Sequence, residues 1–266
     1  MRDGKRFFVP SNSYWAWSDH SEGLTAASQG RRGWLELKQL ILEQWTPHSS
    51  NATFALGAHV AALRPHENNT WLAVIDLENF YDHVTRAKVH RALASIGFSR
   101  AAAFKVAGES TIRQGEKYLL PRGFRQSPML AALVLEQSLF GSYLRKGFYR
   151  STVTVFSDDI ILSSNDRDEL QEEYRHIVNL LRRSNFPINP IKSQPPRREV
   201  IVFNMRVSQD GLSFTDVRMW KFLNRAVELV LDKPLIYNKL FGNYLSSINS
   251  EQARRLRAWV RARRAG

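Results

Sequence analysis

The sequence contains no cysteine. That excludes disulfides, thiolate nucleophiles and Cys-ligated zinc or iron–sulfur centres, so any metal must be held by oxygen or imidazole. No stretch approaches the roughly 18 consecutive apolar residues needed to cross a bilayer. The opening residues, MRDGKRFFVP, lack the apolar segment of a secretory signal. A soluble, cytoplasmic protein is expected. Internal repeats and long low-complexity segments are also lacking, which argues against a solenoid or bodies joined by linkers. Acidic residues are in deficit, with 25 Asp and Glu against 38 Lys and Arg, for a formal net charge of +13. What is present can fold: 266 residues, 43% hydrophobic, with 15 Phe, 8 Tyr and 7 Trp. Positive charge on a folded chain points to polyanions, nucleic acid first and an anionic membrane surface second.

Hydrophobic periodicity sets the expected elements. Residues 1–33 are polar and aromatic, irregular apart from a strand at 6–9, and a helix follows near 34–45, closed by Thr46-Pro47. WLAVIDL (71–77) reads as a buried strand with Asp76 as its anomaly. Helices are expected over 85–97, with Gly97 as the C-cap, over 99–114, and over 129–144 after a Ser127 N-cap and a first-turn Pro128. Two short strands, 153–156 and 160–163, flank Ser157-Asp158-Asp159 as a tight hairpin. An amphipathic helix over 166–184 follows, then a strand pair around Gln209-Asp210-Gly211, and helices at 216–231 and 250–264. This order indicates an α+β fold, an antiparallel sheet with helices on one face.

Asp76, Asp158 and Asp159 stand where apolar strands least favour acids, and a buried carboxylate calls for a cation. Each alone fits a turn or cap equally well. Together, a strand-end acid and a hairpin-tip pair suit a two-metal site, and a hard-oxygen donor set selects Mg²⁺ or Mn²⁺.

These residues resemble the reverse transcriptases and related right-hand polymerases. VIDLENFYDHV (74–84) is similar to the first palm motif, LPRGFRQSP (120–128) to the Leu-Pro-Gln-Gly-x-x-x-Ser-Pro element, and VTVFSDDIILSS (153–164) to the aromatic-x-Asp-Asp hairpin. Lys192 in NPIKS falls where the family keeps a lysine, and IVFNMRVSQDG (201–211) is similar to the primer-gripping hairpin. TFALGAHVAALRPHENN, before the strand, resembles a fingers element. The resemblance implies fingers over 1–70, an antiparallel-sheet palm with inserted fingers helices over 71–211, and a small basic helical thumb over 212–266. It further implies nucleotidyl transfer with Mg²⁺, Asp76 and Asp158 bridging two ions and Asp159 beside them. Tyr81 takes the steric-gate position, or else packs in the core, with Phe80 beside it as the core ring. Arg122, Gly123, Lys192 and Arg6 are the implied nucleotide contacts, Lys192 at the pyrophosphate. The chain departs from the pattern at Arg122, where the family usually has Gln, at Ala132 for a frequent Asn, and at Phe156 for the usual Tyr.

The C-terminal segment carries Arg254, Arg255, Arg257 and Arg261 around Leu256, Trp259 and Val260, a basic amphipathic helix suited to a phosphate backbone, a membrane surface or solvent, with nucleic acid favoured here. The compact architecture resembles retron and phage-defence reverse transcriptases. The expected partners are therefore an RNA template, in particular a dedicated non-coding RNA, a DNA product and dNTPs, with an RNA or protein subunit or a second copy completing the thumb. Three alternatives stay open: template-independent or repeat-adding DNA synthesis, prompted by Arg122; RNA-directed RNA synthesis, which disfavours a bulky Tyr81; and a catalytically silent RNA-binding module, against which all three acids speak.

Overall fold

The computed structural model describes residues 24–55, 59–232 and 244–265. The strand expected at 6–9, the aromatic segment 14–20 and Arg6 lie outside the described residues. The described residues form two compact units, one made of 24–51, 77–148 and 179–188, the other of 52–55, 59–76, 149–178, 189–232 and 244–265.

In the second unit, after the short helix α2 (His59–Leu63), WLAVID forms β1 (Trp71–Asp76), with Leu72 to Asp76 all buried. Such a run, apolar on both faces, reads as a central strand. It pairs antiparallel on one side with β5 (Asp159–Ser164), Val74 opposite Ile161 and Ile75 opposite Ile160. β5 pairs in turn with β4 (Thr152–Phe156). On its other side β1 carries β6 (Gln194–Arg197), for the order β4-β5-β1-β6. No strand was expected at 194–197, because two prolines mask it; β6 lies at the sheet edge, and its register with β1 shifts between Leu72 and Val74, an irregularity that accommodates residues without N–H donors. Leu72, Ile75, Ile160 and Ile161 are fully buried, each contributing roughly 1.5–3 kcal/mol. The expected strand pair near 209–211 is part of a three-stranded meander, β7 (Glu199–Val202), β8 (Met205–Ser208) and β9 (Gly211–Phe214), turning at Gly211 with φ +101°. Val200, Val207, Leu212 and Phe214 share a core with Phe222 and Ala226 of the helix Asp216–Asp232 and with Leu256 and Val260 of the C-terminal helix Ser250–Ala265.

His66 is fully buried in this unit. Thr154 donates its hydroxyl to the Ala62 carbonyl at 2.7 Å, so it accepts from His66 Nε2 at 2.7 Å; His66 Nδ1 then accepts from Ser163 Oγ at 2.7 Å, and Ser163 accepts from Asn69 at 2.8 Å. Every polar atom is satisfied only by the neutral ring, and burial pushes the His66 pKa down to about 3. The folded pKa lies below the unfolded one, so this contribution to stability is complete above pH 6.5 and is lost as pH falls toward 3. Between pH 6.5 and 4.5 wild type should lose about 2–3 kcal/mol through this residue. Denaturant titrations of His66→Gln should show that part of the acid limb gone; an identical slope in both proteins would contradict the assignment.

The first unit is mostly helical. α1 (Leu24–Gln44) begins ten residues earlier than expected, and Leu37 and Ile41 face inward. α3 (Arg86–Ser95) starts at Thr85, whose hydroxyl accepts from the Lys88 N–H at 3.3 Å, and ends before Gly97 at φ +105°. Three expectations are corrected. The helix expected over 99–114 is α4 (Arg100–Ser110) followed by a hairpin, β2 (Ile112–Gln114) and β3 (Lys117–Leu119); Gly115 at φ +60° permits the turn, and β-branched Thr111 and Ile112 favour strand. The single helix expected over 129–144 is two, α5 (Ser127–Glu136) and α6 (Leu139–Lys146), because Ser138 caps the second by accepting from the Gly141 N–H at 3.4 Å. Gln126, not Ser127, is the N-cap of α5: the Ser127 hydroxyl donates to the Pro121 carbonyl at 2.6 Å. α5 is buried on every side except Pro128 and forms the axis of this unit. Its last residue, Glu136, is buried and accepts from Trp45 Nε1 at 3.0 Å, the His48 N–H at 3.1 Å and Asn51 Nδ2 at 2.9 Å, which ties the segment after α1 to the core. The amphipathic helix expected over 166–184 is α7 (Arg167–Arg183), of which residues 167–178 belong to the second unit; Asp166 Oδ1 starts it by accepting from the N–H groups of Asp168 and Glu169, and Leu170, Ile177 and Leu181 are buried.

Candidate active site

Asp76, Asp158 and Asp159 meet in the second unit by strand register. β1 ends at Asp76, directly opposite Asp159 at the start of β5, and Asp158 occupies the two-residue loop between β4 and β5. That loop bends through Ser157 at φ +57°, a left-handed conformation glycine ordinarily supplies; its N–H donates to Thr53 Oγ1 at 3.0 Å. Residues 52–53 brace the hairpin further through Ala52 N–H to the Val155 carbonyl at 2.8 Å.

The acids perturb one another. Asp76, 6% exposed, is held above the usual carboxylate range by burial, with Lys192 opposing and Asp158 adding to the rise. Asp159 is pushed up to about 7, by burial first and then by the charges of Asp158 and Asp76. The loop NPIKS holds Asp76 in place. Asn189 N–H donates to the Asp76 carbonyl at 2.8 Å and its side chain bonds the carboxylate, Asp76 N–H donates to Ser193 Oγ at 3.1 Å, and Lys192 Nζ meets Oδ2 at 3.4 Å. Asn189 and Ser193 were not anticipated. Their signal was the Asn-Pro turn: Asn189 Oδ1 also accepts from the N–H groups of Ile191 and Lys192, a side-chain turn common at Asn-Pro. Lys192, anticipated at the pyrophosphate, lies on Asp76, with 65% of its side chain exposed.

Among the described residues no group of three or more His, Asp or Glu is already arranged to hold a metal ion. The donor chemistry nonetheless fits a hard divalent cation completed by ligands from outside the chain: adjacent carboxylates, mutually repelled toward protonation, are relieved by such an ion.

The other anticipated residues divide between the units. In the first, Tyr81 lies partly exposed in the short 3₁₀ turn Phe80–His83, while Phe80 is 1% exposed and packs on Phe186 with ring centres 5.7 Å apart. Arg122 and Gly123 are exposed in the loop before α5. Gly123 has φ +97° with open space where a Cβ would stand, so backbone conformation, not crowding, requires glycine there. In the second unit, Arg254, Arg255 and Arg261 are exposed on the C-terminal helix, Arg255 paired with Glu251. Arg257 is half-buried and donates to Ser246.

A strand-end acid set against an acidic hairpin tip, on a basic chain with lysine at the first acid, is an arrangement suited to chemistry on phosphates. The profile of the family "Reverse transcriptase (RNA-dependent DNA polymerase)" matches residues 35–206. The chain belongs to the reverse transcriptase family, RNA-directed DNA polymerases with the right-hand fold. It is 23% identical over 237 residues to the retron Ec86 reverse transcriptase of Escherichia coli, covering 85% of this chain and 73% of that one. It is 29% identical over 115 residues to the Gag-Pro-Pol polyprotein of Human T-cell leukemia virus 3 (strain 2026ND), covering 42% of this chain and 8% of the polyprotein. Among solved structures, a foamy viral protease-reverse transcriptase in complex with an RNA/DNA hybrid superposes with a TM-score of 0.44 at 18% identity, over 66% of this chain and 23% of that one. This chain thus spans only a small part of the polyprotein and of that structure.

Proposed function

We propose that this chain copies a dedicated non-coding RNA into DNA with Mg²⁺, using Asp76 and Asp158 as the metal-holding acids. The observation that carries the reading is the register that sets Asp76 opposite Asp159 with Asp158 at the adjoining hairpin tip. In nucleotidyl transfer a primer 3′-hydroxyl loses its proton, its oxygen attacks the α-phosphate of a dNTP in line, and pyrophosphate leaves. Divalent ions held by Asp76 and Asp158 would supply charge stabilisation as the hydroxyl attacks and pyrophosphate leaves. Asp159, beside them, keeps the local field negative. Lys192 exchanges Asp76 for phosphate oxygens when nucleotide arrives. In the same reading residues 1–70 form fingers, 71–211 the palm and 212–266 a thumb whose Arg254, Arg255, Arg257 and Arg261 serve the nucleic-acid backbone. A partner RNA, subunit or second copy completes that thumb, and the setting is cytoplasmic antiphage defence. No described helix is long and apolar enough to cross a membrane.

The test expresses the gene with its native flanking DNA and measures labelled dNTP incorporation by the purified protein before and after RNase, with the product sequenced. RNase-sensitive product complementary to co-purified RNA supports templated synthesis; random or homopolymer DNA insensitive to RNase sinks it. Plaque counts with and without the gene address the defence setting.

Two further outcomes follow from the site. Tyr81→Ala should raise ribonucleotide over deoxyribonucleotide incorporation by about 10–100-fold, since a ring that excludes a 2′-hydroxyl is replaced by space. Unchanged sugar selectivity would place Tyr81 in the core instead. Asp159, with its folded pKa above its unfolded value, destabilises the metal-free protein progressively as pH rises from about 4 to 7. Mg²⁺ binding displaces that proton, so the Tm gain on adding Mg²⁺ should be larger at pH 8 than at pH 6, and Asp159→Asn should remove the difference. Equal gains at both pH values in wild type would refute metal binding beside Asp159.

A further inference from the structure

The first unit carries a groove of about 450 Å³ that plays no part in the site above, lined by Arg86, His90, Arg91, Phe104, Lys117 and Tyr118 among others. It lies where α3, α4 and the β2–β3 hairpin come together. α4 needs no aromatic for its packing: Ala103, Val106 and Ala107 turn inward, while Phe104 stands 65% exposed with Lys105 exposed beside it. Tyr118 is 39% exposed. A large ring left in water twice in one groove is a binding signature, not a folding one. Arg86 is already set: its guanidinium lies 3.5 Å from the Tyr118 ring centre and its Nε donates to Thr111 Oγ1 at 3.0 Å. His90 stands edge-on to Phe104 with ring centres 6.4 Å apart.

The rim is cationic. Arg91 and Lys117 are exposed, and none of the described lining residues is acidic. Exposed rings with flanking cations match an unpaired polynucleotide, whose bases offer flat faces and whose backbone offers phosphates. An acidic protein segment would satisfy the cations but leave Phe104 and the Tyr118 face away from Arg86 without stacking partners.

We propose that this groove binds an unpaired segment of the RNA partner, bases stacking on Phe104 and Tyr118 and phosphates meeting Arg91 and Lys117. The identity of the ligand as RNA rests on the RNA-directed reading above; the stacking chemistry does not. The groove therefore anchors RNA independently of the acids that carry the chemistry, and none of its residues is a catalytic residue.

The experiment uses the full chain and a short fluorescein-labelled unpaired RNA, with binding read by anisotropy and thermal melts as the fold control. Phe104→Ala with Tyr118→Ala should weaken binding about tenfold or more, Phe104→Trp should restore it where Phe104→Leu does not, and Arg91→Gln with Lys117→Gln should flatten the salt dependence. A 4-thiouridine version of the RNA should crosslink to peptides containing Phe104 or Tyr118. Wild-type affinity in the double Ala variant at an unchanged Tm overturns the proposal, as do crosslinks that all fall elsewhere. A wild-type dimer that Phe104→Ala turns into monomer without loss of RNA affinity also overturns it and assigns the groove to a second copy. The two readings fail separately. Groove crosslinks in a protein with no dNTP incorporation uphold the groove and remove the polymerase. Asp158-dependent extension of a preformed primer–template, with groove variants that bind RNA normally, does the reverse.

Discussion

Asp158→Ala should reduce dNTP incorporation by about 10³-fold or more while leaving RNA affinity within about twofold of wild type. The acid lies half-buried in the two-residue loop and its side chain is no part of the strand ladder, so Ala removes charge without removing packing. Its partners are the charges of Asp76 and Asp159, on which it acts by repulsion; losing it relaxes the folded site instead of unpairing it. The folded state should therefore be no less stable than wild type, and melts in the absence of Mg²⁺ check this. In the proposed function the phosphate contacts fall to Lys and Arg, whose excess the substitution leaves untouched. Loss of incorporation and RNA binding together, with a lowered Tm, would make Asp158 a structural acid and remove the carboxylate pair from the mechanism.

Gly141→Ala should be the most damaging conservative change in the first unit, lowering stability by about 3 kcal/mol or more and the Tm by about 6–12 °C. A Cβ at this position would lie 2.0 Å from the Glu136 carbonyl oxygen and 2.4 Å from its carbonyl carbon and Cα. These are backbone atoms, so no side chain can swing aside. The close approach belongs to the break between α5 and α6, where Ser138 caps the second helix and Arg145 donates back to the same Glu136 carbonyl. Shifting that turn would also move Glu136, whose carboxylate holds Trp45, His48 and Asn51. Differential scanning calorimetry of the variant checks the expectation; a wild-type Tm would mean that the break between the helices relaxes freely. Ser138→Ala at the same break removes only a cap and should cost about 1 kcal/mol, which separates steric clash from loss of the cap.

The acid limb of the stability curve combines opposed effects. His66 favours folding less as pH falls below 6.5, whereas Asp159 opposes folding less over the same interval. The wild-type curve can therefore be nearly flat although both groups titrate, and each contribution emerges only beside the variant that removes it.

Local sequence was enough for the strand 71–76, for the acids that interrupt apolar strands and for the amphipathic helix after the hairpin. In each, one side-chain period or one misplaced charge dominates the segment. The cap at Thr85 and the turn at Gly97 were legible for the same reason, since their conformations depend on residues within one turn. Where nearby signals competed, they misled. Apolar 129–144 has the composition of one helix, and only the packing of Gly141 on the Glu136 backbone shows why it must be two. Thr111 and Ile112 end a helix that alanines would have continued, and the partner strand at 117–119 decides the matter. Pro195 and Pro196 hid β6 because an edge strand is defined by its neighbour β1 and not by its own propensity.

The amino-acid sequence by itself determined the chemistry available to this protein: no thiolate ligands, three misplaced acids, a cationic surplus and the ordered motifs of a reverse transcriptase. Tertiary structure decided what those groups face. Register alone sets Asp76 opposite Asp159, the return of NPIKS past β1 brings Asn189, Lys192 and Ser193 to Asp76, and the meeting of three elements puts Phe104 and Tyr118 in one cationic groove. The physical reason is range. Propensity and periodicity act over a few residues, whereas the contacts that make a site are pairings between segments whose separation along the chain leaves no trace in either one.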